Sequence, residues 1–328
     1  MVKTGKILTK ILAGVLAVLL IAALVLCITG TSRQKFEGAD VELSSWMSSI
    51  ADDTPINKIA IPGSHDAGTA GIMWLGETQT YTIGQHLSSG VRYFDIRVHE
   101  KGDKLVIFHS FMDGADFGVI LANIRDFITE NPSEVLLLDF QHFKGGSQQR
   151  VYMLLRKELY DNGLVVENTT DMTDVQFIRS LTLGDVRGKC IIFWGDREDD
   201  FSDWLFLRND DECTLSDMCL DSYYIGSYHK APSETLISDA HPIYFDKLAE
   251  RQAAGEDAIF VLQCQLTDGT LVCGPWSRER EQDAGMSEYI RSLAQSDKLD
   301  GINVIMRDFI TPEKCEDIIA LNTAKGNM

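Results

Sequence analysis

Short, apolar, β-branched runs recur along the chain with helical or loop segments between them: Lys58 to Pro62, Val91 to Val98, Leu105 to His109, Val135 to Phe140, Cys190 to Trp194, Ala258 to Gln263 and Ile302 to Asp308. Runs this short, with few polar interruptions, suit strands buried on both faces of a parallel sheet. The connections agree. Phe117 to Thr129 carries apolar residues at helical spacing and stops before Asn131-Pro132, where a helix ends. Thr311-Pro312 offers a cap and a first-turn proline for a terminal helix running to about Leu321. Strands alternating with helices over about 280 residues predict one α/β domain, a distorted TIM-like (β/α) barrel over residues 45–328. A chain of 328 residues that is 45% hydrophobic can fill such a core. No internal repeat is visible.

The N-terminus reads differently. Lys3, Lys6 and Lys10 precede an uncharged apolar run from Ile11 to about Gly30, which at roughly 1.5 Å per residue is long enough to cross a hydrocarbon core of roughly 30 Å. Leu24-Val25-Leu26-Cys27, followed by Ile28, offers neither a small-x-small cleavage site nor a good lipobox. Residues 1–31 are therefore expected to be an uncleaved, single-pass signal anchor and residues 32–44 a linker, with a helical stretch from Ser45 to Ala51 opening the domain. The basic flank places the N-terminus in the cytoplasm and the domain outside the cell membrane; cleavage of the anchor would secrete it. A net charge of −19 argues against a nucleic-acid partner and leaves room only for a local basic pocket able to hold one phosphate. Outside the anchor, Cys213 with Cys219 and Cys264 with Cys273 are the locally plausible disulfides, while Cys190 and Cys315 have no near neighbour. No CxxC or Cys/His cluster suggests zinc.

Chemistry concentrates at the predicted strand ends. His65 sits in Ile61-Pro62-Gly63-Ser64-His65-Asp66, His109 in Val106-Ile107-Phe108-His109-Ser110, and Tyr93-Phe94-Asp95-Ile96-Arg97 lies between them; Asp139 and Asp308 end two further strands. Barrel enzymes place catalytic groups just past the C-terminal ends of strands. A neutral imidazole takes a proton from an attacking hydroxyl, a protonated one gives a proton to a leaving oxygen, and a guanidinium holds a phosphate between them. That set suffices to cleave a phosphodiester without a metal.

These residues resemble the X domain of bacterial phosphatidylinositol-specific phospholipase C. The likeness runs through Ile61-Pro62-Gly63-Ser64-His65-Asp66, Arg92-Tyr93-Phe94-Asp95-Ile96-Arg97, Phe108-His109, Asn131-Pro132-Ser133-Glu134, Leu183-Gly184-Asp185-Val186-Arg187-Gly188-Lys189 and Val304-Ile305-Met306-Arg307-Asp308, roughly residues 45 to 320. It implies cleavage of phosphatidylinositol, or its glycosylated form, to diacylglycerol and inositol cyclic phosphate. His65 would be the general base, His109 the general acid and Arg97 the phosphate ligand. Asp308 would fix the His65 tautomer, and Asp66 and Asp95 would orient their neighbours. Calcium-dependent relatives carry acidic ligands where this chain has Arg97, so no metal or other cofactor is expected. The implied partner is a phosphoinositide membrane lipid, and a monomer is expected.

The match is looser around the head group. Bacterial members have an inositol-contacting lysine in the strand that here reads Asp139-Phe140-Gln141-His142, so Asp139 and Gln141 become the candidate contacts, joined by Asp221 and Tyr223 from Leu220-Asp221-Ser222-Tyr223. Two alternatives stand beside this reading. One is a metal-dependent glycerophosphodiester phosphodiesterase-like enzyme and the other a membrane-anchored binding domain without catalysis; within the phospholipase reading, calcium on Asp95, Asp139 and Asp66 is the alternative to metal independence. Trp74 and Trp204 read as core residues before lipid contacts, and of the remaining histidines only His142, beside Asp139, draws attention.

Overall fold

The computed structural model describes residues 10–21, 41–195, 203–208, 218–222, 233–265 and 274–328. Its sheet contains β1 Ile61–Ser64, β2 Tyr93–Lys101, β3 Lys104–His109, β4 Met112–Asp116, β5 Val135–Lys144, β6 Lys189–Trp194, β7 Leu205–Leu207, β8 Leu220–Ser222, β9 Ile259–Gln263 and β10 Val304–Arg307. Eight of these strands run parallel in the order β7-β6-β5-β2-β1-β10-β9-β8. Among the described residues the two ends of this path meet through the bridge of Arg208 with Leu220 and the Cys219 N–H donating to the Leu207 carbonyl at 2.8 Å. The result is a nearly closed parallel barrel with helices around it.

Burial on both faces explains why the strands read as continuous apolar runs. Val135, Leu136, Leu137, Leu138 and Phe140 of β5 are all fully buried. Phe140 meets Phe117 edge-on at 5.9 Å and Trp194 at 5.5 Å, joining β5 and β6 to the helix Phe117–Glu130. Removing such a ring from water is worth about 1.5–3 kcal/mol. The Asp116 carboxylate starts that helix by accepting the N–H groups of Gly118 and Val119 at 2.9 and 3.3 Å. The expected terminal helix is Pro312–Lys325, capped by the Thr311 hydroxyl and ended at Gly326 with φ 76°.

The N-terminal face is closed by residues 43–52. Arg92 donates to the carbonyls of Leu43 and Ser44 at 3.1 and 2.9 Å and pairs with Glu134, both charged groups fully buried; Arg187 reaches the carbonyls of Met47 and Ile50 and the Asp52 carboxylate. Leu43 is therefore already core, two residues before the expected start of the domain, and the expected helix over Ser45 to Ala51 is a 3-10 turn at Trp46–Ser49.

Two sequence expectations change. The run Leu105 to His109 is not a barrel strand: β3 is antiparallel to β2 and continues into β4. Lys101 pairs with Lys104, leaving only Gly102-Asp103 between them, too short for a parallel crossover. The expected Cys264–Cys273 bond does not form, because Cys264 is a buried free thiol, as are Cys190 and Cys315; Cys213 and Cys273 lie outside the described residues. Of the N-terminal apolar run, residues 10–21 form an exposed helix and residues 22–40 lie outside the described residues. Among the described residues no helix is long and apolar enough to cross a membrane.

Candidate active site

Strand β1 is built for close approach. A Cβ on Gly63 would stand 2.9 Å from the Tyr93 ring and 3.0 Å from Val304, its neighbours in the barrel. Directly past the strand comes His65, whose N–H donates to the Arg307 carbonyl at 3.1 Å. The His65 Nδ1–H donates to Asp308 Oδ1 at 2.7 Å, which leaves Nε2 as the reactive nitrogen, 3.4 Å from Asp66 Oδ2 and 3.9 Å from Asp95 Oδ2. Burial pulls the His65 pKa down, but the carboxylates of Asp66, Asp308 and Asp95 outweigh it and raise it to about 9.

Arg97 lies beside them, two residues past Asp95 on β2. Its Nε meets Asp66 Oδ1 at 2.8 Å, and its Nη2 meets Asp95 Oδ2 at 2.9 Å and Gln141 Oε1 at 3.2 Å. Burial would lower the Arg97 pKa, yet Asp66 and Asp95 raise it above its ordinary value, so the guanidinium is permanently charged. For Asp66, burial pushes upward and Arg97, His65, His109 and His142 together hold the carboxyl down to about 2.

His109 reaches the same point from the opposite direction. Strand β2 runs past the barrel rim, turns at Gly102-Asp103 and returns as β3, so that Ile107 lies opposite Val98 and His109 comes back to the level of the rim. Its Nδ1–H donates to the Gly76 carbonyl at 2.8 Å, and Nε2 faces Asp66 Oδ2 at 3.5 Å. Both imidazoles thus have Nδ1 tied to an acceptor and Nε2 turned to one carboxylate. Asp66, Ser110 and Phe309 have φ of 43°, 58° and 44°, and they are the residues after His65, His109 and Asp308. Left-handed backbone costs a non-glycine residue about 1–3 kcal/mol, and here it turns the chain sharply after each site residue.

The structure therefore brings together His65, Asp66, Asp95, Arg97, His109 and Asp308. The expected head-group contacts fare differently. Gln141 stands against Arg97 and also donates to Asp139 Oδ2 at 3.2 Å. Asp139 is fully buried with both oxygens occupied, by the Tyr93 hydroxyl at 2.6 Å and Arg208 Nε at 2.7 Å, so it holds neighbours and does not face a ligand. Burial raises its pKa against the pull of Arg208. Asp221 faces outward and pairs with Arg251 of the helix His241–Ala254 at 3.1 Å, whereas Ser222, one residue on, faces inward to Gln263. That one-residue parity removes Asp221 from the site. Tyr223 lies outside the described residues. Trp204 is core, stacked on Tyr152 and Tyr160.

Gln79, Gly76 and Arg208 were not singled out in the sequence. Arg208 had a legible signal, a charged residue ending the short apolar run Leu205-Phe206-Leu207. A carbonyl such as that of Gly76 has none.

For a cation, one atom each of His65, Asp66 and Asp95 lie within 4.8 Å of one another. The Arg97 guanidinium already bonds both carboxylates of that trio, and Asp139, the third carboxylate of the calcium alternative, is committed to Arg208. The residues fit a site whose positive charge comes from arginine.

Residues 53–195 match the family described as phosphatidylinositol-specific phospholipase C, X domain. The chain is 25% identical over 301 residues to a Listeria monocytogenes 1-phosphatidylinositol phosphodiesterase, covering 86% of each. It is 29% identical over 136 residues to human PI-PLC X domain-containing protein 2, covering 30% of this chain and 44% of that protein. In three dimensions it resembles the phosphatidylinositol-specific phospholipase C of L. monocytogenes, with a TM-score of 0.61 and 20% identity over 85% of this chain and 98% of that one. The likeness to the Staphylococcus aureus enzyme has a TM-score of 0.63 and 15% identity over 87% and 99% of the two chains.

Proposed function

We propose that this chain, whose residues 53–195 are a phosphatidylinositol-specific phospholipase C X domain, cleaves phosphatidylinositol by metal-independent general acid–base catalysis. The observation that carries the reading is the pair of imidazoles whose Nε2 atoms flank one point beside Arg97. His65 Nε2 takes the proton of the inositol 2-hydroxyl as that oxygen bonds to the adjacent phosphorus, and Asp308 steadies the imidazolium that results. Arg97 meets the non-bridging oxygens as their charge grows. The bond from phosphorus to the diacylglycerol oxygen breaks, His109 Nε2 protonates that oxygen, and inositol cyclic phosphate leaves. The nucleophile is already tethered to its target, so alignment and proton placement make up most of the catalysis. Glycosylated phosphatidylinositol fits the same chemistry.

The test is phosphorus NMR of residues 33–328 with phosphatidylinositol micelles in EDTA, beside His65→Ala and His109→Ala. A cyclic phosphate signal that both variants lack is the expected result. Activity that needs added calcium or magnesium would favour an ion on His65, Asp66 and Asp95, the trio whose spacing supports that second reading.

The proposed setting is the outer side of the cell membrane, held by a single-pass N-terminal anchor or released by its cleavage. Lys3, Lys6 and Lys10 before the apolar run support this orientation. The working unit is proposed to be a monomer.

A further inference from the structure

The ends of β1 and β10 are joined by a side chain that takes no part in the proton transfers. Gln79 is fully buried. Its Nε2 donates to the carbonyls of His65 and Arg307 at 2.8 and 2.9 Å, and its Oε1 accepts the Ile310 N–H at 3.1 Å. These are the backbone groups of His65 itself and of the residues on either side of the Asp308-Phe309 turn. Two carbonyls and one N–H can be satisfied by an amide in one orientation only. Glutamate would set a carboxylate against two carbonyl oxygens, and leucine would take from the His65 carbonyl and the Ile310 N–H the partner that Gln79 gives them and leave the Arg307 carbonyl only the His65 N–H. The neighbouring Thr78 carbonyl accepts the Phe309 N–H at 2.8 Å, which secures the left-handed residue directly after Asp308. Three residues earlier on the same segment, the Gly76 carbonyl orients His109.

We propose that Gln79 is the positioning residue of the His65–Asp308 pair, locking the ends of β1 and β10 so that the aspartate stays on His65 Nδ1. The proposal rests on the acid–base reading given above for its kinetic consequence, and on geometry alone for its effect on the imidazole. Without the amide the two strand ends are tied less directly: the His65 N–H still meets the Arg307 carbonyl and the Thr78 carbonyl still holds the Phe309 N–H, but the His65 carbonyl and the Ile310 N–H lose the group that joins them across the Asp308-Phe309 turn.

The experiment is the nitrogen-15 NMR titration of the His65 imidazole in the full chain, for the parent protein, Gln79→Leu, the neutral and similarly sized Gln79→Met, and Asp308→Asn. The kinetics of phosphatidylinositol cleavage are measured on the same samples. Both Gln79 variants are expected to bring the His65 titration down from about 9 toward 6.5, in the direction that Asp308→Asn takes it. Misplacement of this kind should lower kcat on the order of 10²-fold, with KM changed by less than about twofold. In the Asp308→Asn background, Gln79→Leu should cost less than about threefold more, because the partner it positions is gone.

An unmoved His65 titration, or the same loss of kcat with and without Asp308, would overturn the proposal. The titration needs no substrate, so it gives its answer even if phosphatidylinositol is not cleaved. Should Gln79→Leu fail to fold, Gln79→Met, which keeps the side-chain volume and adds no charge, decides. Failure of both to fold while Asp308→Asn folds would make Gln79 a determinant of the fold and not of the pair, again overturning the proposal.

Discussion

Asp66 is the pivot of the site. One oxygen is 2.8 Å from Arg97 Nε, and the other is 3.4 Å from His65 Nε2 and 3.5 Å from His109 Nε2. The active form of the histidine pair carries one proton, on His109, while His65 is neutral. Because Asp66, Asp308 and Asp95 raise His65 to about 9, the last proton leaves the pair near that value as pH rises. The rate profile should therefore be bell-shaped with its alkaline limb near 9, and Asp66→Asn should move that limb toward 6.5 by removing the carboxylate that raises His65 most. Initial rates between about pH 5 and 10 on both proteins check this; a limb unmoved in the variant would sink the electrostatic account. Single residues were legible where a polar side chain interrupts an apolar run at its end, as with His65, Asp95, Arg97, His109 and Asp308. Asp139 and Asp221 misled for a different reason. Whether a strand residue faces the cavity, a buried partner or the outer helices depends on register and on which partners are near, and one sequence does not contain either.

At the scale of elements, the β2–β3 hairpin determines where the proposed acid sits. Gly102 has φ 61° with nothing within 4 Å of an added Cβ, so its role is backbone freedom alone. Gly102→Val should cost about 1–2 kcal/mol and lower kcat by loosening the return of His109, whereas Gly102→Asn, which tolerates that conformation, should leave both nearly intact. Calorimetry and kcat on the two variants decide; equal effects would show that the turn does not govern His109. The direction of β3 was readable from Gly102-Asp103, since two residues join antiparallel strands only. The long runs of β5, β6, β9 and β10 were legible because burial on both faces leaves an unbroken apolar signature. Strands β7 and β8 have three residues each, too few for any period to show, and their place is set by the neighbours they pair with.

Across the whole molecule, buried histidines oppose one another in pH. Burial lowers His86 to about 3 and His241 to about 4 from 6.5, so below 6.5 the unfolded chain takes up protons that the folded chain refuses, and stability falls as pH drops. His65 works in reverse: its folded value of about 9 makes its contribution complete below 6.5 and spends it as pH rises toward 9. Asp66 adds stability above 3.8 that is lost as pH falls through about 2. The melting temperature should therefore peak near pH 6.5, and His86→Gln should flatten the acid side without altering the alkaline side. A scan of Tm against pH for both proteins tests this, and an unchanged acid slope in the variant would refute the role given to His86. Among the described residues the barrel is a hoop with one slender link. Between β7 and β8 the Arg208–Leu220 bridge and the Cys219 N–H carry the described closure, while Arg208 at that link reaches across the interior to Asp139 like a spoke. Thermal breathing should part the ring there first, so in deuterated water the Cys219 amide should exchange well before that of Leu137, which is bonded to the Arg92 carbonyl in mid-sheet. A ring that yields at one joint can widen its mouth for a bulky head group while its base stays shut.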